Sequence, residues 1–173
     1  YMDTFAPPMQ FTYRSESDAT PSTSKPIDGA KVSMYNVKVY WKWDATSGQF
    51  LRYTENLKRV LEPHMSAEGT KPVDQVNAKN VVVLYCSYKR SWADRKSPEA
   101  QTTGQGDGYV LTNGGLIQIK WSRPTQKDTF TITDTSGAVV RLTPGRSWVE
   151  LAFKNTLAAV DPGVDVTKVA WPS

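Results

Sequence analysis

The chain has 173 residues, 39% of them hydrophobic and 22% charged, with a net charge of +4. That composition excludes a disordered polyelectrolyte and leaves enough apolar material for the core of one domain. A single cysteine, Cys86, excludes an internal disulfide, and one histidine with no cysteine pair excludes the common zinc sites.

Residues 1–29 read as an arm or linker: apolar residues around Pro7-Pro8, then a Ser/Thr/Pro stretch with little to bury. The aromatic start can still pack on the domain. Residues 30–153 read as the β-rich domain. Alternation over residues 30–43 gives a strand with a phase slip near Tyr35 and Asn36, which means a bulge or a break into two strands. Asp44–Gly48 is a turn, and Gln49–Thr54 returns as the second arm of a hairpin. Pro63 and Pro72 bracket a loop, and Val73–Ala78 reads as a helical turn. Asn80–Lys89 is an unbroken run of β-branched and aromatic residues, expected as a central strand buried on both faces.

Residues 90–107 form a charged, glycine-rich excursion with a lone Trp92. Asn113-Gly114 between Tyr109–Thr112 and Leu116–Trp121 is a strong hairpin signal, with Ile117, Ile119 and Trp121 on one face. Phe130–Thr133 turns at Asp134–Gly137 into Val139–Leu142. Thr143-Pro144-Gly145 then reads as the turn of a further hairpin to Trp148–Phe153. Residues 154–173 are a tail, with a helical turn at Thr156–Val160 and Trp171 positioned to dock it. The expected fold is mainly β: an antiparallel twisted sheet or sandwich-like arrangement of about eight or nine strands with little helix.

The usual catalytic and nucleotide-binding motifs are missing. The Gly104, Gly106 and Gly108 stretch precedes a strand rather than a helix and reads as a turn or bulge, not a phosphate cradle. A Cys86–His64 dyad is disfavoured, because burial in a strand keeps a thiol protonated and inert. The basic residues are spread along the chain, which favours anionic partners in general over specific nucleic acid. Aromatic rings beside polar groups, Trp121 with Arg123 and Trp41 with Trp43, are candidate stacking surfaces, although core packing is the commoner use of such rings.

An ordered series of residues resembles one known family: Val39, Trp41, Trp43, Asp44, Gly48, Phe50, Arg52, Tyr53, His64, Asn80, Gly104, Gly106, Asn113, Gly114, Trp121, Arg123, Gly137, Leu142, Pro144, Gly145, Trp148 and Glu150. Over roughly residues 30–153 the chain is similar to the C-terminal domain of the YerB-like bacterial lipoproteins, domain of unknown function 3048. The resemblance implies that residues 1–29 are the arm or linker to a missing N-terminal domain, and the chain departs from the family pattern at Ser22–Lys31 and Lys89–Gln101. The resemblance implies an extracytoplasmic protein, held to the membrane only through an upstream lipid anchor, with no known catalytic activity. It singles out Asn80, Trp121, Arg123, Pro144, Gly145, Trp148 and, less closely, His64. Gly145 suits a left-handed turn position, Trp148 a core anchor, and Asn80 a hydrogen bond at the start of a strand.

The expected role is therefore a non-catalytic envelope module that binds a protein or an anionic cell-wall polymer, without cofactor or metal. Its candidate ligand-binding residues are Arg123, Trp121, His64 and Asp107. One alternative is a wall-directed hydrolase whose site is shared with the missing domain, which requires Asp107, Arg123, His64 and Glu150 to converge. The other is a scaffold that associates through an exposed strand edge.

Overall fold

The computed structural model describes residues 10–15, 17–34, 37–68, 71–94, 96–153 and 157–160. Its strands in chain order begin with β1 (Lys25–Pro26), β2 (Gly29–Met34), β3 (Val37–Asp44), β4 (Gln49–Glu55) and β5 (Leu61–Pro63). Next come β6 (Met65–Glu68), β7 (Lys71–Gln75), β8 (Asn77–Ala78), β9 (Asn80–Cys86), β10 (Tyr88–Arg90) and β11 (Pro98–Ala100). The last are β12 (Gly104–Thr112), β13 (Gly115–Arg123), β14 (Thr131–Asp134), β15 (Ser147–Phe153) and β16 (Leu157–Val160). No helix occurs among the described residues, so the mainly β expectation holds, with more and shorter strands than the eight or nine foreseen.

Two sheets carry the fold. The first runs β1-β13-β12-β9-β15, with β14 also on β13; the second runs β16-β2-β3-β4-β5, with β8 also on β4. β6–β7 and β10–β11 are separate two-stranded hairpins. The faces of the two sheets meet over a core containing Ala30, Val32, Trp41, Phe50, Val81, Val83, Leu111 and Ala152. The other face of the first sheet carries Val82, Leu84, Val110, Ile117, Ile119, Trp121 and Ile132, packed with Phe11, Val140 and Leu142. Successive residues of β9 thus enter opposite cores, which is why its sequence is apolar without alternation.

The local devices follow from sequence. Asn113 and Gly114 both have positive φ, 48° and 68°, the geometry of a type I′ turn that matches the twist of β12 and β13. At the β3–β4 turn the Asp44 carboxylate accepts from the Thr46 and Ser47 backbone N–H groups and from the Ser47 hydroxyl. Tyr35 and Asn36 lie outside the described residues; the strands on either side of the phase slip, β2 and β3, are antiparallel, with Met34 opposite Val37.

Four local expectations are corrected. Residues 71–78 form β7 and β8 rather than a helical turn: β7 pairs with β6, and the Arg52 N–H donates to the Val76 carbonyl across β4. Residues 157–160 form β16 on β2, also not a helical turn; Trp171 lies outside the described residues. The glycine-rich stretch is the first half of β12. A Cβ on Gly108 would lie 2.1 Å from the Val83 carbonyl oxygen, and one on Gly106 would lie 2.8 Å from the Trp121 indole nitrogen. These glycines permit close strand approach rather than a turn.

The fourth correction concerns the Pro144-Gly145 hairpin. Leu142 instead bonds the N-terminal segment, donating to the Thr12 carbonyl and accepting from the Arg14 N–H. β15 pairs with β9 in parallel. The buried Asn80 side chain accounts for this. Its Nδ2 donates to the Thr143 carbonyl (2.8 Å) and Ser147 Oγ (3.0 Å), while Oδ1 accepts from the Thr143 N–H and the Thr112 hydroxyl (both 2.9 Å). One saturated carboxamide therefore delivers the chain to the start of β9, not back along residues 139–142. Gly145 does take positive φ, 130°, as expected.

Candidate functional site: a buried charge cluster beside an open cleft

Trp41 and Arg52 are register partners on β3 and β4, and their side chains face β15 across the inter-sheet core. Alternation along β15 sends Trp148, Glu150 and Ala152 to meet them. The Glu150 Oε1 accepts from the Trp41 indole N–H at 3.1 Å and from Arg52 Nε at 3.2 Å. The Arg52 guanidinium lies 5.1 Å from the Trp148 ring centroid and 5.8 Å from that of Trp41. Its Nη1 donates to His64 Nδ1 at 2.5 Å. A guanidinium only donates, so Nδ1 accepts and the ring proton sits on Nε2.

Burial pushes the Glu150 carboxyl above its ordinary range, against the pull of Arg52 and the Trp41 N–H. Burial and the neighbouring Arg52 cation both push the His64 imidazole below its ordinary value. Each titratable group in the cluster is thus held by another. The cluster fixes Trp148, which is half-buried and borders open space on its other side.

That open space is a cleft of about 600 Å³. Its walls include Trp148 and Arg146, Asn77 of β8, and Ser66, Asp74 and Gln75 of the β6–β7 hairpin. Gln75 Nε2 donates to the Arg52 carbonyl at 2.9 Å, and Asn77 Nδ2 donates to the Gln75 carbonyl at 3.0 Å. Ser66 Oγ bridges the Asp74 backbone. Asp74 and Arg146 are exposed. A rigid ring edge, two amides and one charge of each sign suit recognition of a polar ligand with a flat or apolar face.

A second cleft, about 420 Å³, lies along β12 and β13 and is lined by Gln105, Asp107, Lys120, Trp121, Thr131 and Thr133, among others. Asp107 stands opposite Lys120 in register. Two predicted site residues, Asp107 and Trp121, therefore share a cleft. Trp121 is only 3% exposed and packs edge-on against Phe130, so its ring face is closed to stacking; Trp41, at 0% exposed, is closed likewise.

Arg123 follows this cleft on β13. Its guanidinium donates to the Asp128 carbonyl (2.9 Å) and the Gln126 carbonyl (2.6 Å) and lies 4.9 Å from the Phe130 ring centroid. Those contacts staple the β13–β14 loop and supply the packing explanation that sequence alone withheld. His64 sits in the other cluster. Asp107, Arg123, His64 and Glu150 do not share one cleft: Asp107 lines the second, while Glu150 is 2% exposed between the sheets.

Cys86 faces the outer core, and burial pushes its thiol up to about 11. Among the described residues, no three His, Cys, Asp or Glu side chains gather closely enough to hold a metal ion. Sequence reasoning missed the larger cleft. The Arg146-x-Trp148 alternation pointed to it, but reading Val73–Ala78 as helical scattered Asp74, Gln75 and Asn77 around an axis instead of along one wall.

A family model described as the C-terminal domain of a protein of unknown function, DUF3048, matches residues 30–149. No curated protein matches the chain. Among solved structures, the crystal structure of YerB from Bacillus subtilis is similar, with a TM-score of 0.57 at 14% identity. The match covers 82% of this chain and 46% of that one, so the chain spans less than half of YerB. At that identity the likeness speaks for the fold.

Proposed function

The chain belongs to the DUF3048 C-terminal domain family, and from the cleft beside Trp148 we infer that it is a non-catalytic binding module of the bacterial cell envelope. The ligand is a cell-wall polymer bearing hydroxyl, amide and anionic groups. The extracytoplasmic, lipid-anchored location follows the YerB-like resemblance and belongs to the same proposal. The observation that carries this reading is the preorganised wall: Trp148 is locked by Arg52 and Trp41, with Arg146, Asn77 and Gln75 around the same opening. Preorganisation lowers the ordering cost of binding a flexible polymer. The nearby carboxylate and imidazole are committed to Arg52, which favours holding over hydrolysis.

Co-sedimentation with purified insoluble wall material tests the reading. Arg146 and Asp74 are exposed, so Arg146→Ala and Asp74→Asn should leave the melting temperature unchanged. Arg146→Ala should weaken retention by about fivefold to tenfold, the loss of one charge-assisted hydrogen bond. Retention no better than that of an unrelated domain of equal net charge, or full retention by Arg146→Ala, would overturn it.

A further inference from the structure

Trp92 is 98% exposed, although large rings are rarely left wholly in water. It lies in the loop of the β10–β11 hairpin, and the pairing continues beyond the strands through a Ser91 N–H to Ser97 carbonyl bond at 2.9 Å. Hydrogen bonds tie the described residues of the loop together. Asp94 accepts from the Lys96 N–H at 2.9 Å and from the Ser97 hydroxyl at 2.7 Å, and the Ser97 N–H donates to the Asp94 carbonyl at 3.1 Å. These bonds turn the Asp94 carboxylate inward, onto its own loop, while Glu99 stands opposite Lys89 in register and offsets its charge. Lys89, Arg90 and Lys96 flank the ring and are exposed.

We propose that this hairpin is a membrane-contact element: Trp92 enters the headgroup layer of an anionic bilayer while Arg90 and Lys96 pair with lipid phosphates. Indoles favour the bilayer interface, having an apolar body and one N–H for the hydrated layer. Basic residues near an anionic surface each add about fivefold to affinity and lose it within a Debye length. One ring and a few charges give weak, reversible binding, which suits a contact additional to the upstream lipid anchor that the family resemblance implies. A nucleic acid fits less well, because single strands are held in grooves that track the backbone, whereas this element is a convex tip with one ring. The contact is independent of the Trp148 cleft.

The test is co-sedimentation of the full chain with phosphatidylglycerol–phosphatidylcholine vesicles and with pure phosphatidylcholine vesicles, at low and high salt. Wild type should bind the anionic vesicles and release at high salt. Trp92→Ser should weaken binding at least tenfold, and Arg90→Gln and Lys96→Gln about fivefold each, with unchanged melting temperatures. Arg146→Ala should bind vesicles like wild type, which separates this contact from the wall-binding cleft. Equal binding by Trp92→Ser and wild type would reduce the effect to net charge and overturn the proposal. So would binding to anionic vesicles no stronger than to neutral ones, as expected if Trp92 meets a protein.

Discussion

Arg52 carries a full charge in an almost dry place, and its neighbours show how that is tolerated. Glu150 neutralises one end, His64 accepts at another, and the Trp41 and Trp148 rings lie beside the guanidinium. Removing Glu150 would strand the cation at a cost of about 3–5 kcal/mol, so His64 is the better probe. The unfolded chain protonates His64 near the ordinary 6.5, while the folded chain resists, because an imidazolium would be buried and face a guanidinium. As pH falls from 6.5 toward the lower folded value, the unfolded state takes up the proton first, and stability is lost in that window. His64→Gln keeps an acceptor and removes the titration. Wild type should therefore lose stability relative to His64→Gln between pH 7.5 and 5.5, measured as urea midpoints. Glu150 titrates in both proteins and cancels from the difference. Parallel loss by the two proteins would show that His64 does not carry the effect.

At the scale of elements, β9 and β12 approach more closely at Gly108 than any side chain permits. A Cβ there meets the Val83 carbonyl oxygen at 2.1 Å, a backbone atom with no rotamer to yield. Gly108→Ala must separate two strands of the first sheet and should destabilise by about 3 kcal/mol or more, measured by urea denaturation. Gly137→Ala is the contrast: a Cβ there has nothing within 4 Å, and only the φ of 86° resists it. If Gly108→Ala cost no more than Gly137→Ala, close approach would not be the reason for glycine. The same pair of strands shows what local sequence can reveal. The Asn113-Gly114 turn and the β9 run were legible because turn chemistry and β-branching act locally. The role of Gly106 and Gly108 was not, because the atoms that exclude a side chain belong to Val83, Tyr85 and Trp121. The Pro144-Gly145 signal misled for a related reason: Gly145 takes the positive φ expected of it, but Asn80, more than sixty residues earlier, holds Thr143 and Ser147 and chose the partner strand. At the candidate site, Trp148 was visible as an aromatic anchor, while its cleft needed β6–β8 to be strands.

At the scale of the whole molecule, both cores hang on one strand. Val81 and Val83 of β9 pack between the sheets, while Val82 and Leu84 pack under the N-terminal segment. The aromatic start of the N-terminal arm closes a core: Phe11 is buried and stacks on Phe130 at 5.4 Å, and the backbone of Thr12 and Arg14 bonds Leu142. Phe11→Ala should cost about 3 kcal/mol, the low end for a buried ring because the site lies at the margin of its core. Val139→Ala, on an exposed side chain of the same region, should cost almost nothing. Because β9 is common to both cores, the loss cannot stay local. Tryptophan fluorescence, which includes Trp41 and Trp148 of the inter-sheet core, and far-ultraviolet dichroism should shift together in one transition. An early, separate transition in Phe11→Ala would show instead that the N-terminal layer unfolds by itself. The shared strand would then not couple the Trp148 cleft, on one side of the first sheet, to the packing on the other.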